Sequence, residues 1–179
     1  MIQEPPIIWI SGPPASGKST LCEALLREFR FGFHLEVDDL RTWVKSGLAE
    51  SVPWTEETER QFQLAEAAAC DIAKRYQDGG FAVVVDHCRN LPTLEKVLAT
   101  NLSGRRVVKV CLMPDLQTNL ERNATRTNKL FGPDLLVDTI VYTNKHYRLS
   151  IPSGWTVIDN TNLSVEETVN LVLNLANGR

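Results

Sequence analysis

Residues 12–19 require the chain to leave a buried strand, curl tightly and enter a helix, and few sequence features restrict a fold more. Gly12-Pro13-Pro14-Ala15-Ser16-Gly17-Lys18-Ser19 fits the pattern G-x-x-x-x-G-K-[ST] at each fixed position. The apolar run Ile7-Ile8-Trp9-Ile10 precedes it, as expected of a strand covered on both faces. Residues 20–30 follow with helical spacing, placing Leu21, Leu25 and Phe29 on one face. Glycine lets such a loop curl until successive N–H groups point at an anion, and the helix N-terminus behind it adds a favourable dipole. Gly12, Pro13, Pro14, Ala15, Ser16, Gly17, Lys18 and Ser19, with Thr20 behind them, therefore predict a site for the phosphates of ATP. Lys18 is expected to reach the β- and γ-phosphates, and the Ser19 hydroxyl to hold Mg²⁺.

The rest of the chain alternates in the same way. Strand-like apolar runs cover residues 7–11, 33–37, 81–86, 106–112 and 155–158. Helical patterns lie between them. The longest, residues 56–77, carries Phe62, Ala65, Ala69, Ile72 and Tyr76 on one stripe. Residues 115–127 place Leu116 and Leu120 together, and residues 134–149 do the same for Leu135, Ile140 and Tyr147. Ser164-Val165-Glu166-Glu167 is a capping box that opens a last helix through Val169, Leu171, Val172 and Leu175. Such alternation predicts a three-layer α/β fold: a five-stranded parallel sheet flanked by helices, in a single domain over residues 1–179. Two polar stretches escape the pattern, residues 47–55 with Pro53 and Trp54, and residues 123–133. Both fall where loops over the ligand face are expected, and residues 122–133 are read as a small lid.

Composition sets limits on this reading. The chain is 43% hydrophobic and 23% charged, an ordinary globular balance. A net charge of −3 supplies no global attraction to nucleic acid, so a polynucleotide partner would need a local basic groove. The start Met-Ile-Gln-Glu-Pro-Pro lacks the basic and apolar parts of a signal peptide, and no apolar run approaches a membrane span. Cys22, Cys70, Cys88 and Cys111 form no C-x-x-C pair, and His34, His87 and His146 show no metal-ligand spacing. A cytoplasmic enzyme with reduced thiols and no structural metal is expected.

Absences narrow the class of phosphate-loop protein. No N-K-x-D base-recognition motif is present, and Leu102-Ser103-Gly104-Arg105 is only a fragment of L-S-G-G-Q. The acidic strand Val83-Val84-Val85-Asp86 is followed by His87, where many ATPases place a water-orienting glutamate. Phosphoryl transfer to a bound acceptor is therefore favoured over hydrolysis. Asp38, at the end of the second strand, is a candidate to accept the proton of an attacking hydroxyl, with Asp39 as the helix cap. The alternative is that Asp38 itself caps that helix. Arg41, one turn on, and Arg89 are candidates for the acceptor side. Asp86 ends the most hydrophobic strand and is placed to support Mg²⁺ or orient Ser19, or simply to start a turn. Arg122 and Arg126 share a helical face, as lid arginines over ATP and the transferring group would, and as an exposed helix also would. Asp159-Asn160-Thr161-Asn162 is read either as an adenine contact or as a plain turn.

These segments together resemble the small P-loop kinases of the adenylate kinase-like group, the set that includes polynucleotide 5′-hydroxyl kinases, chloramphenicol phosphotransferase and zeta-toxin-like kinases. The resemblance is carried by the phosphate loop, then Val37-Asp38-Asp39-Leu40-Arg41, then Asp86-His87-Cys88-Arg89-Asn90, then Arg122-Asn123-Ala124-Thr125-Arg126. It implies Asp38 as general base, Arg41 on an acceptor phosphate, Asp86 at the metal or acceptor site, and Arg122 and Arg126 in the lid. The V-D-x-L wording around Asp38 fits chloramphenicol phosphotransferase as well as the polynucleotide enzymes. A small-molecule alcohol is the favoured acceptor, with a polynucleotide 5′-end or a non-catalytic ATP-binding role as alternatives.

Overall fold

The computed structural model describes residues 5–125 and 133–178, for Pro133 the backbone alone. Its strands are β1 (Ile7–Ser11), β2 (Gly32–Glu36), β3 (Ala82–Asp86), β4 (Val107–Leu112) and β5 (Trp155–Ile158). Its helices are α1 (Lys18–Leu26), α2 (Val37–Thr42), α3 (Glu56–Asp78), α4 (Leu91–Asn101), α5 (Leu116–Thr125), α6 (Val137–Tyr147) and α7 (Val165–Ala176). The strands form one sheet in the order β2-β3-β1-β4-β5, and every neighbouring pair is parallel. This is the α/β architecture that the alternation predicts.

Successive side chains of a strand point to opposite faces, so an uninterrupted apolar strand must feed two cores. In β1 and β3 every position is buried. Ile7, Trp9, Val83 and Val85 pack on one face against Ala65, Ala69 and Ala73 of α3 and Leu94 and Leu98 of α4. Ile8, Ile10 and Val84 pack on the other against Leu21, Cys22 and Leu25 of α1 and Val169 and Val172 of α7. The small alanines of α3 are what let so long a helix lie close to the sheet.

Several elements depart from the sequence pattern for local reasons. Helix α1 starts at Lys18, because Gly17 takes up a left-handed conformation (φ 96°) as its N-cap, and it ends at Leu26. Phe29 lies in the following turn yet packs on the same core. Helix α2 is capped by Glu36 without a side-chain bond, so Asp39 is not the cap; Asp38 and Asp39 both occupy its first turn, where the helix dipole favours carboxylates. Helix α4 has no counterpart in the predicted pattern. Its signals are nonetheless present: the Asn90 side chain accepts from the Thr93 amide at 3.1 Å, Pro92 lies in the first turn, and Leu91, Leu94 and Leu98 are buried. On α5 the buried residues are Asn119 and Asn123, while Leu116 is exposed. A 3-10 turn over Pro133–Leu136 precedes α6 and leaves Leu135 70% exposed, so Ile140 and Tyr147 alone carry that helix's predicted apolar face. The capping box of α7 closes as read: Ser164 Oγ accepts from the Glu167 amide at 3.1 Å, and Glu167 Oε2 from the Ser164 amide at 2.7 Å.

Candidate active site

The phosphate loop leaves β1 at the centre of the sheet and is shaped by two glycines. Gly12 sits at φ 146°, and a Cβ there would lie 2.4 Å from the Leu112 carbonyl oxygen, so no larger residue fits. Ala15 also holds a positive φ of 59°. Donors from all sides engage the loop carbonyls. Lys18 Nζ donates to Gly12 O at 3.1 Å and Pro13 O at 3.0 Å, Asn119 Nδ2 to Pro14 O at 3.0 Å, and Asn160 Nδ2 to Ser16 O at 2.9 Å. Arg122 donates to Ser16 O at 3.4 Å and to Asn160 O at 2.8 Å. Pro13 and Pro14 have no N–H, and the Ser16 amide bonds Pro13 O. The amides of Ala15, Gly17, Lys18 and Ser19 are thus the donors that the loop can turn toward an anion. Asn119 explains the polar face of α5: that face supports the loop instead of filling a core.

Ser19 Oγ donates to Asp86 Oδ2 at 2.7 Å, which joins the start of α1 to the end of β3. Asp86 is buried, and the register sets Ile10 on one side of it and Glu36 on the other. A cleft of about 640 Å³ opens over these groups, and Lys18, Ser19, Asp38, Asp86, Arg122 and Asn160 all line it. The Asp38 side chain is 64% exposed in this cleft. The structure thus brings the phosphate loop, Ser19, Asp38, Asp86 and Arg122 into one space. Arg126 lies outside the described residues.

Arg41 and Arg89 do not line the cleft. Arg41 is buried, donates to Ala49 O at 2.8 Å and Ser51 Oγ at 3.2 Å, and stacks 3.8 Å over the Phe62 ring. Burial lowers its pKa below the ordinary guanidinium value, opposed by the charge of Asp38. Its bonds help to fix the stretch at 47–55, where Gln61 Nε2 donates to Gly47 O at 2.7 Å and Trp54 stacks on Phe62. Arg89 donates from Nε to Glu66 Oε1 and from Nη2 to Glu59 Oε1, both at 2.6 Å. Burial alone would lower the Arg89 pKa; the Glu59 bond and the Glu66 charge override it and leave it raised.

Three further residues enter the site without a local sequence signal. His87 is fully buried, and its Nε2 lies 3.0 Å from Glu66 Oε1 while its Nδ1 lies 3.8 Å from Asp38 Oδ1. Glu66 is itself fully buried on α3. An Arg89–Glu66–His87 chain therefore ends 3.8 Å from the exposed Asp38 carboxylate, beyond hydrogen-bonding distance. Tyr147 completes the floor: its hydroxyl accepts from the Arg89 amide at 2.7 Å and lies 3.1 Å from Ser11 Oγ. Only the fold reveals these contacts, because the partners come from four different elements.

The parallel sheet and the loop-centred cleft define a P-loop protein of the kinase type. Solved structures share this fold across nearly the whole chain. A gluconokinase from Sinorhizobium meliloti 1021 is 22% identical with a TM-score of 0.68, over 98% of this chain and 96% of that one. The Deinococcus radiodurans tunicamycin resistance protein is 18% identical with a TM-score of 0.66, over 96% and 95%. The Mycobacterium tuberculosis APS kinase, solved with AMPPNP and APS, is 18% identical with a TM-score of 0.66, over 97% and 98%. No curated protein matches the sequence at a significant level. Residues 5–170 match the chloramphenicol phosphotransferase-like proteins, and the chain belongs to that family. Family and fold together support a nucleotide-dependent kinase acting on a small molecule.

Proposed function

We propose that the chain is an ATP- and Mg²⁺-dependent kinase that transfers the γ-phosphoryl group to a hydroxyl of a small-molecule acceptor. The observation that carries this reading is the convergence of Lys18, the Ser19–Asp86 pair and the exposed Asp38 on one cleft. In the mechanism, the loop amides take the phosphates, and Lys18 exchanges its carbonyl partners for phosphate oxygens. Asp38 accepts the proton of the acceptor hydroxyl as its oxygen bonds to the γ-phosphorus; the bond to the bridging oxygen breaks and ADP leaves. Arg122, held by Ser16 O and Asn160 O, keeps a positive charge beside the phosphate loop. The oxygens of Ser19 and Asp86 form the hard donor set that Mg²⁺ prefers. Ser19 and Asp86 would hold the ion, which would supply positive charge to offset that developing on the phosphates.

The acceptor side favours a small molecule over a polynucleotide. Glu36, Asp38 and Asp39 line it, whereas Arg41 and Arg89 are engaged beneath the 47–55 stretch. Polyanion binding needs several cations on one face, and this end of the cleft presents carboxylates. A cytoplasmic setting belongs to the same proposal: all four cysteines are free, and among the described residues no helix is long and apolar enough to cross a membrane.

The test is transfer from γ-labelled ATP with Mg²⁺ to a pool of sugars, nucleosides and hydroxylated antibiotics, run beside a 5′-hydroxyl oligonucleotide. Label is expected in the small-molecule pool and lost in Lys18→Ala. Asp38→Asn is expected to lose roughly 10²–10⁴-fold in rate while still binding ATP. Full activity in Asp38→Asn removes the general base. Label on the oligonucleotide overturns the acceptor class, and ATP binding without transfer to any acceptor favours a regulatory module.

A further inference from the structure

Beside the cleft, on the α1 face of the sheet, three metal-ligating side chains meet that are far apart in sequence. Cys22 Sγ from α1, a ring nitrogen of His34 from β2 and a carboxylate oxygen of Asp86 from β3 all lie within 4.8 Å of one another. Cys22 is a free thiol and wholly buried, and Asp86 is 8% exposed. His34 Nε2 is buried with no hydrogen-bond partner. A buried ring nitrogen without a hydrogen-bond partner, beside a thiol and a carboxylate, is unusual, because buried polar groups are nearly always paired. The register accounts for the meeting. His34 stands opposite Val84, which shares a core cluster with Cys22, and Glu36 stands opposite Asp86 two positions on.

We propose that Cys22, His34 and Asp86 form a Zn²⁺-type site whose occupancy draws Asp86 away from Ser19 and so shuts off phosphoryl transfer. A sulfur, an imidazole nitrogen and one oxygen suit a borderline-soft ion such as Zn²⁺ or Co²⁺, whereas Mg²⁺ prefers oxygen alone. Zn–S of about 2.3 Å and Zn–N of about 2.0 Å place tetrahedral ligand atoms roughly 3.5 Å apart. The ligand atoms, within 4.8 Å of one another, therefore need to draw together by at most about 1.3 Å. The fourth position falls to water, and Ser19 loses the Asp86 carboxylate to which it donates at 2.7 Å in the metal-free protein. Binding releases the Cys22 thiol proton to solvent and leaves a thiolate on the metal. The metal-binding half of this inference is independent of the kinase reading; the inhibitory half rests on it.

The experiment titrates Co²⁺ into the metal-free protein, residues 1–179, in excess Mg²⁺. A thiolate-to-cobalt charge-transfer band in the near ultraviolet, saturating at one equivalent and displaced by Zn²⁺, is expected. Cys22→Ser and His34→Gln should each abolish the band or weaken Co²⁺ binding by roughly 100-fold. Near-ultraviolet circular dichroism of the metal-free variants shows whether each is folded; if Cys22→Ser is not, His34→Gln decides the matter. No band in the wild type, or His34→Gln binding Co²⁺ as tightly as the wild type, overturns the site. In transfer assays, Zn²⁺ should inhibit the wild type at saturating Mg²⁺ but spare both variants, whose basal rates are unchanged. A wild type that gives the cobalt band yet is not inhibited refutes the inhibitory role alone. Absence of any transfer counts against the kinase reading, while the cobalt band still decides the site.

Discussion

Replacing Glu66 by Gln is the sharpest perturbation of the polar floor beneath the cleft. Glu66 is fully buried, and its Oε1 takes both the His87 ring at 3.0 Å and Arg89 Nε at 2.6 Å. Its Oε2 is buried without a partner. Glutamine preserves the shape but removes the charge, and it either breaks both bonds at Oε1 or buries an unpaired NH₂ group. Breaking a buried ion pair from one side costs about 3–5 kcal/mol. Arg89 keeps Glu59 at 2.6 Å, a partly exposed partner, so the loss here is estimated at about 2–3 kcal/mol. With a urea slope of about 2 kcal/mol per molar, the unfolding midpoint should fall by about 1–1.5 M. The cause is separable. Arg89→Met in the Glu66→Gln background removes the stranded cation, and a double-mutant cycle should return about 1–3 kcal/mol of coupling. Because His87 loses its anchor 3.8 Å from Asp38, the turnover rate should also fall while ATP affinity is retained. A midpoint shift below about 0.5 M with no coupling to Arg89 would refute the view that the Glu66 charge organises this floor.

Two other perturbations follow from the same geometry. Gly12→Ala sets a Cβ 2.4 Å from Leu112 O at a φ of 146°, so the loop must move; a loss of about 2–3 kcal/mol, read as a melting point lower by roughly 5–10 °C, should accompany lost ATP binding, and an unchanged melting curve counts against the loop geometry. The Arg89 hydrogen bond holds the Glu59 carboxyl below its ordinary pKa, so its contribution is complete above the unfolded value of about 4.3 and is lost as pH falls through the folded one. Glu59→Gln should therefore flatten the fall in urea midpoint between about pH 5 and pH 3, and superimposable profiles for variant and wild type would remove that ion pair from the acid response.

How much of this was legible in the sequence depends on how local the cause is. The five strands and the α1, α3 and α7 helices follow from apolar period and capping residues, which act within a few positions. Boundaries shifted where a glycine or a cap intervened, as at Gly17 and Glu36. Helix α4 is readable from Asn90, Pro92 and the leucine spacing, which act as locally as the signals of the other helices. Helix α5 lies where the spacing predicts it, but its buried face is not the leucine face. Its buried stripe is Asn119 and Asn123, and a polar stripe is recognisable only once the phosphate loop it supports is in place.

The same distinction applies to the site. Residues 12–19 carry their geometry in the local backbone, so the loop is visible as a motif. Arg41 and Arg89 are charged residues near a predicted cleft, and sequence alone cannot tell whether such a charge faces a ligand or a partner in the protein. Here Glu59, Glu66, Ala49 and the Phe62 ring come from the α3 side of the molecule and take both guanidinium groups. With those cations withdrawn, Asp38 stands at an end of the cleft lined by carboxylates, and His87 lies 3.8 Å from it in a direction that no sequence spacing discloses. On the kinase function proposed above, that arrangement should disfavour polyanionic acceptors by repulsion as well as by the absence of partners. Restoring a cation at this rim, by Asp39→Arg for example, is thus the change that should most broaden the acceptors toward anionic ones.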